Sequence, residues 1–359
     1  SAVTKLYVLI NEEYKQDSLQ QLFAADGIQT KNVILLPVYR LFSMGVPRDY
    51  GPIIVKDKDG KNKIIRFNWD YVGADFINPD TVWAKKRELI RDKYFMQISK
   101  LLEMEVKSVP LTLEGGEVEL NGKGTALLVD SFNLPRNPYL SRKQQDSLLN
   151  LSLGIKKSIW LREGVAEDPG AGTKAKIVDN IYGYGVGGHV DEFARFVNDS
   201  TILMAQIDST EFNDPIALEN HKRIEENYKL LSTATDQDGK PFTIVRMPLP
   251  GTIFSTMKPG DYVYEYIKTL DYEDGSTFPD GDIVKVMAAL SYLNFIITDK
   301  VVVGQTCLRE GMPDELKAKD EKAAQILQSV FPNRKIIMID ALAVNLGGGG
   351  IHCISMYQP

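Results

Sequence analysis

The sequence predicts an α/β fold built from a repeated ββαβ unit, and three observations indicate it. Four short hairpins recur along the chain, each with apolar β-branched arms around a polar turn. A helical pattern follows each hairpin, and a short apolar strand follows each helix. Because one such unit cannot bury its apolar faces alone, the repeat predicts a closed or stacked array.

The elements follow in a regular order. The hairpins turn at Asp59-Gly60, Asn121-Gly122, Asn198-Asp199 and Thr298-Asp299. Helical patterns cover residues 80–105, 142–153, 214–233 and 315–330, and the strands that follow them cover 107–111, 157–161, 242–247 and 335–339. The N-terminus adds a strand at 6–10, a helix at 18–24 and a strand at 33–36. The pattern therefore predicts about five units, one of them completed jointly by the two chain ends.

One segment interrupts the repeat. Residues from Met257 to Asp282 are rich in Gly, Asp, Tyr and Pro. Long connections of this composition are typical of functional loops, so we expect a surface or lid loop here.

Composition excludes several classes of partner. A net charge of -6 and a pI of 5.3 argue against nucleic acid, which needs a basic face. No apolar run approaches the length of a membrane span. The two cysteines offer no disulfide framework and fit a reducing compartment, which favours the cytoplasm. The sequence leaves open a homo-oligomer and a signal peptide before Ser1.

Each unit carries one polar motif between its last strand and the next hairpin. The motifs are PRDYGP at 47–52, EGG at 114–116, GHVD at 188–191, SYLN at 291–294 and GGGGIHC at 347–353. In a ring of repeats these positions converge on one axis, so the five segments are expected to build a single site.

The last motif presents a cysteine directly after four glycines. Glycine lets the backbone pack where any Cβ would clash, so Cys353 is expected to lie at a crowded point. The convergent set is then Cys353, His189, Asp49, Asp191, Glu114 and Asn294. Taken alone, each motif has a structural interpretation: a turn for Asp49 and Glu114, a paired strand face for His189 and Asp191, and a buried thiol for Cys353.

Together these side chains indicate chemistry on a cation. A Cys–His pair would suit acyl transfer, but the surrounding carboxylates would oppose an oxyanion. Carboxylates suit a planar cation with several N–H donors, and a guanidinium matches them. We expect the Cys353 thiolate to attack the guanidinium carbon, His189 to act as general acid and base, and Glu114 to orient His189. Carboxylates near the thiol should raise its pKa, and a bound guanidinium should offset this.

The remaining candidates receive structural roles. His221 is expected to be solvated, and Cys307 to be a small buried apolar residue. His352 alternates with Cys353 along the chain, so its ring is expected to point away from the thiol. A metal site from these histidines, cysteine and acids has no recognised ligand spacing, so no metal is expected.

The residues resemble the agmatine deiminase family, which includes the bacterial type of peptidylarginine deiminase and belongs to the guanidine-modifying pentein superfamily. The matching stretches are PRDYGP at 47–52, LEGGEVELNGKGTALLVD at 113–130, PRNPYLSR at 135–142, GGHVDEFARFV at 187–197, SYLNF at 291–295 and GGGGIHCIS at 347–355. The resemblance covers nearly the whole chain. It implies a five-bladed α/β propeller, the pentein fold, formed by residues 1–359 as one catalytic domain.

The resemblance also implies roles. Cys353 is then the nucleophile, His189 the acid and base, and Glu114 its orienting partner. Asp49 and Asp191 clamp the guanidinium, while Asn294 and Arg48 line the substrate site. No metal or organic cofactor is implied.

Two departures leave the substrate open. The family usually has Trp where this chain has Val46 and Asp where it has Gly187. The leading expectation is conversion of agmatine and water to N-carbamoylputrescine and ammonia. The alternative is deimination of arginine in a peptide, with an exported location and Arg66 as a candidate ligand for a carboxylate. Amidino transfer to a second amine and a binding scaffold without activity are weaker alternatives.

Overall fold

A computed structural model describes residues 5–11, 16–38, 46–70, 82–168, 176–183, 185–270, 272 and 275–357. Within these residues, no helix combines the length and the apolar character needed to cross a membrane.

Short strands and helices alternate along most of the chain. The strands are β1 (Leu6–Asn11), β2 (Val33–Val38), β3 (Ile53–Lys56), β4 (Asn62–Asn68), β5 (Val106–Thr112), β6 (Glu119–Leu120), β7 (Thr125–Val129), β8 (Lys157–Leu161), β9 (Lys176–Val178), β10 (Ile181–Gly183), β11 (Ala194–Phe196), β12 (Thr201–Gln206), β13 (Thr243–Pro248), β14 (Phe254–Met257), β15 (Val284–Met287), β16 (Ile296–Ile297), β17 (Val301–Thr306) and β18 (Lys335–Asp340). The helices are α1 (Gln16–Ala25), α2 (Pro47–Tyr50), α3 (Val82–Leu102), α4 (Asp130–Arg136), α5 (Arg142–Leu153), α6 (Pro215–Thr233), α7 (Tyr262–Ile267), α8 (Asp314–Val330) and α9 (Leu342–Asn345).

Four three-stranded sheets share one topology. In each, two strands form an antiparallel hairpin, and after a helix a third strand pairs in parallel with the second. The sheets are β3-β4-β5, β6-β7-β8, β11-β12-β13 and β16-β17-β18. This confirms the predicted ββαβ unit as the local building block of a mixed α/β fold. Residues 80 and 81 of the first predicted helix lie outside the described residues.

The N-terminal elements form a shorter version of the unit. β1 and β2 pair in parallel over six positions, from Leu6 opposite Val33 to Asn11 opposite Val38, and α1 connects them. The pair corresponds to the second and third strands of the other sheets, as the sequence pattern predicts.

The middle strand is almost wholly buried in two of the three-stranded sheets. All five residues of β7 are buried, and β12 buries the side chains of Ile202 to Ala205.

The two ends of α5 are determined by residues next to them in the sequence. Ser141 and Gln144 form a capping box at the start of α5, and Gly154 ends this helix at φ 72°.

The segment from Met257 to Asp282 connects β14 to β15, and its described residues contain one short helix, α7, among turns and irregular backbone, while its role as a lid stays a prediction. β14 and β15 flank it and join β10 and β9 in a four-stranded sheet of order β14-β15-β10-β9. Within it, α7 contributes to a buried cluster that comprises Tyr182, Val263, Tyr264, Ile267, Tyr272, Val284 and Val286. The content of glycine and aspartate did not indicate that tyrosine side chains of this segment pack into a buried apolar cluster.

Candidate active site

The five predicted motifs do converge, and each lies just before a hairpin or at the chain end. Asp49 lies in α2 ahead of β3, Glu114 lies between β5 and β6, and Asn294 precedes β16. His189 and Asp191 belong to the 3-10 turn that precedes β11. Cys353 lies in a turn that follows the glycine run. All six side chains are buried.

The glycine run allows the thiol segment to pack against Asn294. A Cβ on Gly350 would lie 2.2 Å from Oδ1 of Asn294, and one on Gly349 would lie 3.1 Å from Cβ of Cys353. The contact at Gly350 is closer than packed atoms allow, so that position requires glycine, whereas a Cβ at Gly349 would need Cys353 to shift by a few tenths of an ångström. This confirms the crowding predicted from the sequence.

The thiol lies among acidic and amide groups. Nδ2 of Asn294 is 3.4 Å from the sulfur of Cys353, Oδ2 of Asp191 is 3.8 Å away, and Oε1 of Glu192 is 3.9 Å away. Burial raises the pKa of the Cys353 thiol well above its usual value, and Asp191, Glu192 and Asp49 raise it further. In the free protein the sulfur is therefore a neutral thiol.

The imidazole of His189 faces two of the predicted carboxylates. Nδ1 is 3.6 Å from Oδ1 of Asp49, and Nε2 is 4.0 Å from Oε2 of Glu114. Among the described residues, neither ring nitrogen has a hydrogen-bond partner. Burial lowers the pKa of His189 well below its usual value, and Arg136 lowers it further, so the ring is neutral. A neutral imidazole can accept a proton from a thiol or a water.

Glu114 is held chiefly by an arginine for which the sequence predicted no role. Nη1 of Arg136 donates to Oε2 of Glu114 across 2.6 Å, and Nη2 donates to Oε1. Arg136 also binds Asp70, and its guanidinium stacks 4.2 Å from the ring centre of Phe132. Although burial opposes its charge, Glu114 and Asp70 hold the pKa of Arg136 well above its usual value. The PRNPYLSR stretch was the available signal, but no role was inferred from it.

A second unassigned residue, Asp168, shapes the backbone next to His189. Its carboxylate accepts hydrogen bonds from the amides of Gly188 and His189, at 2.8 and 3.0 Å, and from the amide of Val186. The departure at Gly187 has a steric cause, because a Cβ there would lie 2.2 Å from the ring of Phe132. No sequence spacing links Asp168 to this turn, since β9 and β10 lie between them.

Asn294 is positioned by two further buried residues. Its Nδ2 donates to Oε1 of Glu192 across 2.8 Å. Nη1 of Arg195 donates to the carbonyl oxygens of Leu293 and Phe295, both at 3.0 Å, and so holds the backbone on either side of Asn294. Glu192 and Arg195 lie in the GGHVDEFARFV stretch, but their long-range contacts could not be inferred from it.

Arg48 contacts the thiol segment. Its backbone amide donates to the carbonyl oxygen of Cys353 across 3.0 Å, and Nε donates to the carbonyl oxygen of His352 across 3.2 Å. Its guanidinium stacks 5.0 Å from the ring centre of Tyr357. These contacts hold the turn that carries Cys353, while substrate binding by Arg48 stays a prediction.

The strand-like alternation assumed for His352 was wrong, whereas the direction of its ring relative to the thiol stays a prediction. Residues 351–354 form a turn, so the alternation of a strand does not apply. Nδ1 of His352 lies 2.6 Å from Oδ2 of Asp191, the carboxylate oxygen that also approaches the thiol. Arg66 is likewise occupied, because it pairs with Glu88 and with Asp92, the latter at 2.6 Å.

One group of side chains has donors close enough to hold a metal ion. Within the described part of the chain, ligand atoms of Asp191, Glu192 and Cys353 lie within 4.8 Å of one another. Oδ2 of Asp191 already binds His352, and Oε1 of Glu192 already accepts from Asn294. Both oxygens are thus engaged in hydrogen bonds, and the donor set fits thiol chemistry better than metal binding.

This buried thiol, imidazole and carboxylate set on a mixed α/β scaffold belongs to a hydrolase that acts on carbon–nitrogen bonds in linear amidines. More narrowly, the chain is a member of the Porphyromonas-type peptidyl-arginine deiminase family, whose model matches residues 2–359.

Several characterised proteins are similar to this chain. The agmatine deiminase of Pseudomonas putida is 28% identical over 318 residues, which are 87% of this chain and 73% of that protein. The agmatine deiminase of Pseudomonas syringae pv. syringae is 31% identical with the same coverage. The solved agmatine deiminase of Enterococcus faecalis superposes with a TM-score of 0.71 at 21% identity, over 99% of this chain and 83% of that one. At that identity the superposition shows the fold alone.

Proposed function

We propose that this protein hydrolyses agmatine to N-carbamoylputrescine and ammonia through a covalent adduct on Cys353. The similar proteins from the two Pseudomonas species are agmatine deiminases, and they resemble this chain over most of its length. The site residues supply the groups that such a reaction needs.

Unpaired carboxylate oxygens beside the thiol give the strongest support. Among the described residues, both oxygens of Asp49 and Oδ1 of Asp191 are buried without a hydrogen-bond partner. Leaving a buried acceptor unpaired costs about 1–3 kcal/mol, and more for a charged group. A guanidinium supplies both the positive charge and the N–H donors that these oxygens lack. Asp49 and Asp191 would thus clamp the substrate, with Asn294 lining the site.

In the first step, the thiol proton passes to His189 and the thiolate attacks the guanidinium carbon. The bound cation favours the thiolate by offsetting the carboxylates that raise its pKa. The new C–S bond gives a tetrahedral adduct, and His189 then donates its proton to one nitrogen, which leaves as ammonia. Glu114, held by Arg136, faces the imidazole and stabilises its protonated form.

In the second step, neutral His189 removes a proton from water. The resulting hydroxide adds to the same carbon, and the C–S bond breaks as the urea-type product forms. The proton on His189 returns to the sulfur, which restores the free enzyme, and the proton lost from the added hydroxyl group converts the released ammonia to ammonium. The balance is one guanidinium and one water converted to one ureido group and one ammonium ion.

A five-bladed propeller would account for the convergence of the motifs. The four complete units and the β1–β2 pair would be its blades, and residues 1–359 would form one catalytic domain. Equivalent loops would then meet at the central axis, which would bring the site residues together.

Peptidyl-arginine is the alternative substrate, and the description of the family model favours it. Two observations favour the smaller substrate. Cys353 is 2% exposed and His189 is not exposed, which leaves little access for a polypeptide. Arg66, the candidate ligand for a peptide carboxylate, is already paired with two acidic side chains.

Ammonia release from agmatine, free arginine and an arginine-containing peptide tests the proposal, with Cys353→Ala as the inactive control. We expect turnover of agmatine and formation of N-carbamoylputrescine. Turnover of the peptide alone would replace the proposal with the alternative, and turnover of none would overturn both.

A further inference from the structure

We propose that His352 is a positioning residue of the substrate clamp, holding one oxygen of Asp191 so that the other faces the guanidinium. This inference rests on the proposed function, because it assigns Asp191 to the clamp. It concerns a histidine that the proposed reaction steps do not use.

The two oxygens of Asp191 have different surroundings. Oδ2 lies 2.6 Å from Nδ1 of His352, whereas Oδ1 is buried without a hydrogen-bond partner among the described residues. Asp191 is 1% exposed and His352 is 2% exposed, so water does not compete for this contact. The contact therefore fixes the carboxylate plane and leaves Oδ1 for a ligand.

His352 is itself held through its backbone. Its amide donates to Oδ1 of Asn294 across 2.8 Å, and its carbonyl oxygen accepts from Nε of Arg48 across 3.2 Å. These bonds place the ring against Asp191 and, one residue later, the sulfur of Cys353 beside the same carboxylate. One short turn thus sets the clamp and the nucleophile relative to each other.

The charge of the imidazole suits this role. Burial lowers the pKa of His352 well below its usual value, and the nearby cations Arg195 and Arg48 lower it further. A neutral ring donates its Nδ1–H to the carboxylate without cancelling the negative charge. A lysine or arginine at this point would orient Asp191 as well, but it would compete with the cationic substrate.

Three substitutions separate positioning from bulk packing. In His352→Asn the amide Nδ2 occupies nearly the place of Nδ1, so the donor to Asp191 is retained. In His352→Gln the amide lies nearer the place of Nε2, and His352→Leu has no donor. Loss of a hydrogen bond to a charged group should weaken guanidinium binding by about 10- to 100-fold in the Gln and Leu variants. His352→Asn should recover most of that loss.

Binding is measured as protection of Cys353 from iodoacetamide by methylguanidine, and agmatine is omitted because the proposed reaction would consume it. Thermal unfolding of each variant reports its folding separately. A double-mutant cycle with Asp191→Asn measures the energetic coupling between His352 and Asp191. In the Asp191→Asn background, we expect His352→Leu to weaken methylguanidine binding by less than about threefold. Equal loss in the Asn and Leu variants, or full additivity with Asp191→Asn, would overturn the inference.

Failure of the proposed function has a different signature. In that case the wild-type protein would release no ammonia from agmatine, whatever the protection assay shows. Ordered protection constants across the His352 variants would still establish the positioning role. Absence of any protection by methylguanidine in the wild-type protein would remove the clamp and the inference with it.

Discussion

The backbone amide of Arg48 donates a 3.0 Å hydrogen bond to the carbonyl oxygen of Cys353. This bond joins the first polar motif of the chain to the last one. Together with the bond from Nε of Arg48 to the carbonyl oxygen of His352, it connects the turn that carries Cys353 to α2, which carries Asp49. The thiol and one arm of the proposed clamp are therefore positioned by neighbouring residues of the same short helix.

Replacing Cys353, the proposed nucleophile, should abolish activity without unfolding the protein. Cys353→Ala removes one buried sulfur, so we expect no ammonia release from agmatine and a melting temperature within a few degrees of the wild type. Cys307→Ala is the matched control, because Cys307 is equally buried but belongs to the network around Asp320. That variant should keep its turnover. Normal turnover by Cys353→Ala would rule out the covalent mechanism.

Asp49→Asn should weaken substrate binding while stabilising the free protein at about pH 8. Burial raises the pKa of Asp49 well above its usual value, and Glu114 and Asp191 raise it further. Burial also raises the pKa of Asp191 to about 7. Each desolvated charge pair with the substrate contributes about 2–5 kcal/mol, so binding should fall strongly.

The sign of the pH dependence follows from proton linkage. A carboxyl whose pKa is higher in the folded state stabilises the protein at low pH, and that stability is lost as pH rises through the folded pKa. The melting temperature of the wild type should therefore fall between about pH 5 and 8, where Asp191 titrates. Asp49→Asn should flatten this slope.

Asp208→Asn is the control for that experiment. Asp208 is exposed, and its pKa is lowered by a hydrogen bond from the amide of Thr210. Its contribution to stability is lost only on acidification below its ordinary pKa, so Asp208→Asn should leave the slope between about pH 5 and 8 unchanged. A steeper loss of stability at high pH in Asp49→Asn would contradict the assignment of an unpaired buried carboxylate.

Gly116→Ala should disable the site through steric conflict. A Cβ at this position would lie 2.6 Å from Nδ1 of His189, 3.2 Å from Oδ1 of Asp49 and 3.3 Å from Oδ2 of Asp191. Displacement of a catalytic group by about 1 Å costs on the order of 100-fold in rate, so kcat/KM should fall by at least that factor.

Gly27→Ala serves as the comparison for Gly116→Ala. Gly27 has φ of 67° and open space around its Cβ position, so that substitution adds backbone strain without a clash. It should lower stability by about 1 kcal/mol and leave kcat/KM unchanged. Equal activity of the two glycine variants would show that His189 and the carboxylates tolerate displacement.

Glu192→Gln should make the thiol more acidic. Oε1 of Glu192 lies 3.9 Å from the sulfur, and its negative charge contributes to the raised pKa of Cys353. The amide oxygen of glutamine can still accept the bond from Asn294, so the geometry should survive. The pH profile of iodoacetamide alkylation should move to lower pH by about one unit.

Glu167→Gln provides the reference for the alkylation profile. Glu167 is also a buried carboxyl, with a pKa raised by burial to about 7, but it bonds Asn220 and makes no hydrogen bond to the thiol. An unchanged profile in Glu192→Gln, or an equal displacement in both variants, would exclude a direct effect of Glu192 on the sulfur.

The local sequence pattern was sufficient to predict the repeated ββαβ unit and the positions of its polar motifs. The hairpin turn at Asn121-Gly122 and the five-residue buried strand that follows it are encoded by neighbouring residues. The crowding around the glycine run before Cys353 was also predictable, since only glycine allows the contact that Gly350 makes with Asn294.

The local pattern was insufficient where it had two interpretations. The Met257–Asp282 segment has the glycine and aspartate content of a loop, yet Tyr264 and Tyr272 share a buried cluster with Tyr182 of β10. His352 has the spacing of a strand residue, but the turn at 351–354 redirects its ring toward Asp191. In both cases a long-range partner decided the outcome.

The order of the polar motifs along the chain and their placement ahead of successive hairpins were predictable from the sequence, whereas the identities of the reacting groups stay a prediction. Turn chemistry and apolar periodicity act over a few residues, so they need no knowledge of distant contacts. The pairing of the charges, in contrast, depends on the tertiary structure. Arg136 binds Glu114, His352 binds Asp191, and Asp49 has no hydrogen-bond partner among the described residues. Those pairings join segments far apart in the chain, and burial then sets the proton affinities from which the proposed chemistry follows.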